Sequence, residues 1–468
     1  MPRFAELRGK HPVFHYHGYG LEQTAGALRL RWHFSIDGLC EFHPETLVFT
    51  ENLRILNDPN SPAAHELLFA LGLVEAVSYW KCACPPEVVI HCGSLSEAEI
   101  RWWKRLWFGG LGEFFYRNAI TTDEESFVRF RCDFVPTPDR TMHMQTAFHS
   151  SGLRLVPVGG GKDSCVTLEL LHAAGVPLLG FTVNDQPARR ETFVAAGFAP
   201  EQMLRTRRGI DPALLQRNAE GYWNGHTPFS AIVAFLGLFC AYLAGAEALV
   251  LSNEASADEA SVPGTQVNHQ YSKSFAFEQD MNWYISERFG LPIRYFSLLR
   301  PFHELQIACR FAALPQFHGA FKSCNAGSKA NAWCGRCAKC LFVWLMLAPF
   351  LPQGELAAIF GRNLWEDPAL EEELFGLLGL QTAKPFECVG TVEEARAALT
   401  LVLERCEATG KAAPPLLQNV PPECRLPHGQ CVALLRAFRL EHGVPVTYNQ
   451  SLERMRNDVS AAAESAGR

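Results

Sequence analysis

One glycine run, set between an apolar strand and a helix, constrains this chain more than any other stretch. Val158-Gly159-Gly160-Gly161-Lys162-Asp163-Ser164 follows the apolar stretch Leu153–Val158 and opens the helix-like stretch Ser164–Ala174. Glycines at such a junction let the backbone come close to an anion, because no Cβ intervenes. The loop N–H groups and the helix N-terminus then present partial positive charge. Lys162 adds a point charge, Ser164 a hydroxyl, and Asp163 a carboxylate able to hold Mg²⁺ across phosphate oxygens. The run predicts a polyphosphate cradle in an α/β fold. The bland alternative is a plain glycine-rich turn.

Two better-known loops are excluded. The pattern G-x-x-x-x-G-K-[ST] fails because Asp163 follows Lys162 and Val156 stands five before Gly161; G-x-G-x-x-G fails at Ser164. The run resembles the S-G-G-x-D-S loop of the N-type ATP pyrophosphatases, the PP-loop superfamily, with Gly159 in place of the first serine. That resemblance implies a parallel-sheet domain of the adenine nucleotide alpha hydrolase-like kind. It also implies cleavage of ATP between the α- and β-phosphates and transfer of AMP to a substrate oxygen. Gly159 removes one hydroxyl donor to the pyrophosphate and leaves the backbone donors.

At 468 residues the chain is long enough for two or three domains with full cores. Its formal charge of −7 supplies no basic field for nucleic acid. The start lacks an export-signal pattern. Sixteen cysteines are then expected as reduced thiols in the cytoplasm. Phe229–Leu251 is almost wholly apolar, with Glu247 its only charge, but it reads as a helix Pro228–Leu243 feeding a buried strand Ala248–Leu251. Membrane insertion is not expected.

Three regions follow. Residues 1–148 read as an α+β region with a hairpin ending in the alternation Leu28, Leu30, Trp32, Phe34. Its Arg101-Trp102-Trp103-Lys104-Arg105 is either an anion-binding face or, more simply, a helix with one aromatic side in the core. Residues 149–350 alternate strand and helix, which predicts a parallel sheet. Residues 351–468 read as helical, ending in a frayed tail from Ser460.

Ligands of open parallel sheets bind outside the carboxyl ends of strands. The glycine loop, Asp185 and Ser252-Asn253-Glu254 all fall there. Further along, Glu254 and Asp258 are candidate Mg²⁺ ligands, and His269 and Lys273 can bind phosphate or move protons. A solvated loop is the alternative. Cys324, Cys334, Cys337 and Cys340 form C-x9-C-x2-C-x2-C, a spacing that brings four thiolates around one zinc ion. Other readings are an acid–base thiol pair or reduced, buried cysteines.

Two families share these marks. The cysteine cluster downstream of the glycine loop is similar to 7-cyano-7-deazaguanine synthase, a carboxylate-adenylating enzyme that is shorter and has no such N-terminal region. The longer pattern resembles the UDP-N-acetylmuramoyl-L-alanyl-L-glutamate epimerase family. It runs through Gly159–Ser164, Ser252-Asn253-Glu254, Asn268-His269-Gln270-Tyr271-Ser272-Lys273-Ser274 and Cys334-Gly335-Arg336-Cys337-Ala338-Lys339-Cys340. This resemblance implies ATP-dependent epimerisation of the terminal L-glutamate of a UDP-sugar dipeptide through an adenylated carboxylate, a step of peptidoglycan precursor synthesis. Gly159–Ser164, Asp185 and Ser252–Glu254 would bind ATP, with Mg²⁺ on Asp163. His269, Lys273 and Cys324 are the candidate acid and base, and the N-terminal region would hold the UDP-sugar. Another adenylating ligase, or a nucleotide-binding protein without activity, remains open. The sequence carries no sign of oligomeric state.

Overall fold

A computed structural model describes residues 2–134 and 148–466. Eleven strands form one sheet. They are β1 (Val13–Thr24), β2 (Ala27–Ile36), β3 (Cys40–Phe42), β4 (Glu45–Phe49), β5 (Glu87–Ile90), β6 (Arg129–Cys132), β7 (Arg154–Pro157), β8 (Leu178–Val183), β9 (Met203–Arg208), β10 (Ala248–Leu251) and β11 (Arg294–Ser297). Their order is β11-β10-β7-β8-β9-β4-β2-β1-β5-β6, with β3 also on β2.

The β7–β11 block is parallel throughout. A second parallel block, β1-β5-β6, lies at the other end. Antiparallel pairs β1·β2, β2·β4 and β4·β9 join the two. The expected region boundary at 148/149 thus falls between β6 and β7, strands of the same sheet.

Consecutive residues of the parallel strands face opposite sides of the sheet, and here both sides are buried. Leu155, Phe181, Leu249 and Tyr295 pack into one core cluster, together with the N-terminal strands and the helices Pro62–Trp80 and Phe229–Ala244. Val156, Leu178, Val250 and Phe296 pack into the other, with the helices Lys162–Ala173, Glu304–Ala312, Ala338–Leu347 and Val392–Ala408. Burial on both faces is why β10 and most of β8 are apolar without alternation, whereas β9 ends in Arg205-Thr206-Arg207-Arg208.

The apolar run from Phe229 divides as expected. Its helix ends at Ala244, Gly245 turns with φ +65°, and β10 follows. A Cβ at Gly245 would lie 2.2 Å from the His149 carbonyl oxygen, so the turn requires glycine. Among the described residues no helix is long and apolar enough to cross a membrane. Trp102 and Trp103 are buried, as the core reading of that helix requires. The tail from Ser460 differs from expectation: the helix Asn449–Ala466 carries through it, and only its last two residues lie outside the described ones.

Candidate active site

β10, β7 and β8 are neighbours, so their carboxyl ends bring Ser252–Glu254, the glycine loop and Asp185 side by side. Gly160 has φ +78°, and a Cβ there would meet the backbone of Ala188 and Arg189 at 3.2 Å. Gly161 starts the helix Lys162–Ala173 without a side-chain cap, leaving first-turn N–H groups without a capping partner. Ser164 Oγ donates to the Gly161 carbonyl at 2.9 Å. Lys322 N–H donates to the Gly160 carbonyl at 2.7 Å, tying the loop to the segment that leads to the cysteines. A cleft of about 190 Å³ lies between Gly159, Arg189, Lys322, Cys324 and Lys339. Two buried polar atoms at these strand ends, Asp185 Oδ1 and Ser252 Oγ, have no hydrogen-bond partner among the described residues. Such orphans suit a ligand that supplies the missing bonds. The donor set, loop shape and cleft all fit a polyphosphate.

From the loop a line of buried charges runs inward. Lys162, almost fully buried, pairs with both Asp163 and Glu304. Burial pushes the Glu304 carboxyl well above its ordinary range, with Asp163 and Glu254 adding to the rise and Lys162 opposing it. Glu254 is raised in the same way, by burial, against the pull of Lys273. Asp258, by contrast, has its bonds at the start of another helix, with Arg300 at 4.0 Å. It accepts from Phe275 N–H at 2.7 Å and pairs with Arg439, beside Ser274, the N-cap of the helix Phe275–Tyr284. The buried Arg300 guanidinium fixes the loop by donating to the carbonyls of Glu254 (2.6 Å) and Lys273 (2.5 Å).

Lys273 Nζ lies 3.2 Å from Gln270 Oε1 and 3.2 Å from the Sγ of Cys388, a residue with no part in any sequence motif. Burial would lower the Lys273 ammonium, but Cys388 and Glu254 outweigh it and raise it. Burial would raise the Cys388 thiol, yet Lys273, Lys339 and His269 hold it well below the ordinary thiol range. His269 hydrogen-bonds Cys388 on one side and, through Nδ1, Glu113 Oε2 at 2.5 Å on the other. Against the effect of burial these two partners raise His269 to about 9. Glu113 also meets His226 at 3.2 Å and Arg117 at 2.8 Å. A second, larger cleft of about 950 Å³ adjoins this end, walled by Arg105, Phe108, Tyr116, Tyr271, Phe275 and Arg439. Gly112 and Asn268, the chain neighbours of Glu113 and His269, also line it.

The structure therefore joins His269 and Lys273 through Cys388 and places Cys324 elsewhere, with the other three cysteines. All four Sγ atoms lie within 4.8 Å of one another. Cys340 Sγ is 3.6 Å from Cys334 Sγ and 3.5 Å from Cys337 Sγ. Zn–S bonds of about 2.3 Å in a tetrahedron put sulfurs nearly ~3.8 Å apart, so the donor set fits zinc. Cys324 Sγ also accepts from Gly327 N–H (3.2 Å) and Cys334 N–H (3.3 Å).

The chain matches the model of the MurL N-terminal domain over residues 6–298 and that of the MurL C-terminal domain over residues 320–424. It belongs to the MurL family. Its relatives in that family include the UDP-N-acetyl-alpha-D-muramoyl-L-alanyl-L-glutamate epimerase of Xanthomonas oryzae pv. oryzae, 36% identical over 402 residues, which cover 83% of this chain and 86% of that protein. The protein of the same name from Salinispora tropica is 38% identical over 371 residues, covering 76% of this chain and 79% of its own. MurL relatives bearing a name are thus epimerases, and this chain is an enzyme of that kind. No solved structure matches the chain.

Proposed function

We propose that this enzyme converts the terminal L-glutamate of UDP-N-acetylmuramoyl-L-alanyl-L-glutamate to D-glutamate through an acyl-adenylate, in peptidoglycan precursor synthesis. What carries the reading is one juxtaposition: an anion-binding glycine loop shares its strand ends with a buried line of proton-carrying groups, in a chain of the MurL family.

A free α-carboxylate resists loss of the neighbouring proton, because a second negative charge would build beside the first. Transfer of AMP to the carboxylate removes that charge, and the acyl carbonyl can then accept the electron pair of the C–H bond. Gly159–Ser164 hold the triphosphate with backbone donors and Lys162, and Asp185 and Ser252–Glu254 orient the nucleotide. Asp163 and Glu254 are the groups to hold Mg²⁺, which would neutralise the leaving pyrophosphate. The four cysteines brace the Lys322–Cys324 wall of the nucleotide cleft, with zinc as the ion their geometry suits. We read the β7–β11 block as a PP-loop fold on the same grounds. The larger cleft, aromatic with arginines at its rim, takes the uridine and sugar, so that remote binding energy helps place the reacting carbon. Water then cleaves the anhydride to free the epimerised peptide and AMP. The ATP-dependent step and the sixteen free thiols suit the cytoplasm.

The test is an incubation of the enzyme with the UDP-sugar dipeptide, ATP and Mg²⁺ in deuterated water. ATP-dependent deuterium at the glutamate α-carbon, D-glutamate in the product and equal release of AMP are expected. Substrate-dependent AMP without deuterium would turn the reading into that of a ligase. Neither AMP nor deuterium would refute it.

A further inference from the structure

The N-terminal strands carry a row of histidines that the proposed reaction does not use. In β2, Trp32 and Phe34 are buried, and Trp32 Nε1 donates to the Leu68 carbonyl of the helix Pro62–Trp80 at 3.2 Å. Alternation turns His33 and Ser35 to the other face of the sheet, where His15 and His17 of β1 join them. His43 and His91, just past β3 and β5, complete the row, with neighbouring ring centroids 4.4–5.4 Å apart. At one end His15 and His91 bond each other at 2.9 Å, and their other nitrogens meet Asp37 (2.9 Å) and Asp133 (2.5 Å). The other end is built differently. There the register Phe34↔Phe42 and Ser35↔Glu41, carried one residue further, sets His33 against His43 with their rings 4.5 Å apart. The backbone of His43 is held on both sides: Phe42 pairs with β2 before it, and the Pro44 carbonyl after it accepts from Trp32 N–H at 3.1 Å. Glu41 Oε2 stands between the two rings, 3.1 Å from His33 Nε2 and 3.5 Å from His43 Nε2.

We propose that His33, His43 and Glu41 bind a divalent transition-metal ion of the zinc class through the two Nε2 atoms and one carboxylate oxygen. Bonds of about 2.0–2.2 Å to nitrogen and oxygen at tetrahedral angles put the donor atoms about 3.3–3.5 Å apart. The two contacts to Glu41 already have that spacing, and all three ligand atoms lie within 4.8 Å of one another. Two imidazoles with one carboxylate favour such an ion over Mg²⁺ or Ca²⁺, which prefer all-oxygen shells. His17 packs against the His33 ring at 4.4 Å, and its Nε2 is bonded to Ser35 Oγ at 2.7 Å, so it fixes the ring rather than adding a donor. The ion ties the short strand β3 to β2, and water fills its remaining position. None of its ligands lines either cleft, so the site stands or falls independently of the function proposed above.

Two measurements on the untagged, full-length enzyme decide the matter. In equilibrium dialysis against a range of free Zn²⁺, the wild type should bind one more zinc per chain than the H33A/H43A double variant, whatever the cysteine cluster takes up. Each single variant should shift the midpoint of that extra zinc by at least about 10-fold. His91→Ala, in the same row, and His226→Ala, beside Glu113, should both keep it. Equal zinc per chain in the wild type and the double variant overturns the proposal. So does loss of the extra zinc in H91A, which would mean that the row gathers ions without a defined site. The second measurement needs no variant: diethyl pyrocarbonate modification of the wild type, read by peptide mass spectrometry with and without saturating Zn²⁺. Slower modification of His33 and His43, with His91 unchanged, is expected. Unchanged rates at His33 and His43 overturn the proposal as well.

Discussion

His226 is a neutral buried imidazole placed beside a charged one, and the difference sets an acid limit on stability. Burial and then the neighbouring His269 push it down to about 4, with Glu113 opposing. Its folded value is below the value of about 6.5 in the unfolded chain, so between the two the unfolded state binds more protons. The stability that His226 contributes is present above pH 6.5 and is lost as pH falls towards 4, by up to about 3 kcal/mol. Glu113, held below the ordinary carboxylate range against the effect of burial by His269, His226 and Arg117, adds to the loss at the acid end. Urea unfolding of His226→Asn, followed between about pH 4 and about pH 6.5, should show a shallower pH dependence than the wild type. An identical slope would mean that His226 is protonated in the folded protein. Residues of this kind were illegible in the sequence. Gly159–Ser164 and the four cysteines announce themselves because they lie close together along the chain in a recognisable spacing. Glu113, His226 and Cys388 come from three separate elements and carry no local pattern; folding alone brings them together.

At the scale of elements, the glycine loop separates positions that need glycine from one that does not. A Cβ at Gly160 would press on the backbone of Ala188 and Arg189 at 3.2 Å, and its φ of +78° is unfavourable for any other residue. Gly159 has no positive φ and nothing within 4 Å of its would-be Cβ. Gly160→Ala should therefore cost about 1–3 kcal/mol of stability and abolish AMP release, whereas Gly159→Ser should stay within about 0.5 kcal/mol of the wild type and keep AMP release. Denaturation midpoints and AMP yield check both; a stable, active Gly160→Ala would show that the loop can relax away from Ala188. The central strands β7, β8 and β10 were legible because they are largely apolar runs buried on both faces, and helices follow the strands of the block. The pairing of β4 with β9 was not. An antiparallel contact between strands so distant in sequence leaves no mark on the periodicity of either.

That pairing decides how the whole molecule behaves. Through β4·β9 the N-terminal strands extend the β7–β11 sheet, and one core cluster runs from Phe14 in β1 to Tyr295 in β11. A buried ion pair locks the joint: Arg208 of β9 donates through Nη2 and Nε to the two carboxylate oxygens of Glu75, at 2.7 and 2.8 Å, and through Nη2 to Ser78 Oγ at 2.9 Å. Glu75 belongs to the helix Pro62–Trp80 and is almost fully buried. Glu75→Ala would leave a buried guanidinium without its counter-charge, a loss of about 3–5 kcal/mol. If the sheet is one cooperative unit, that loss is felt equally on both sides of the joint. Native-state hydrogen exchange read by mass spectrometry should then accelerate by the same factor in β2 and in β8, well away from the substitution. Acceleration confined to β2 would instead mean that the N-terminal strands open alone and that the larger cleft can loosen while the glycine loop stays folded. Equal acceleration would mean that the two clefts form and are lost together, as the proposed function, with a substrate held at one and reacting beside the other, would require.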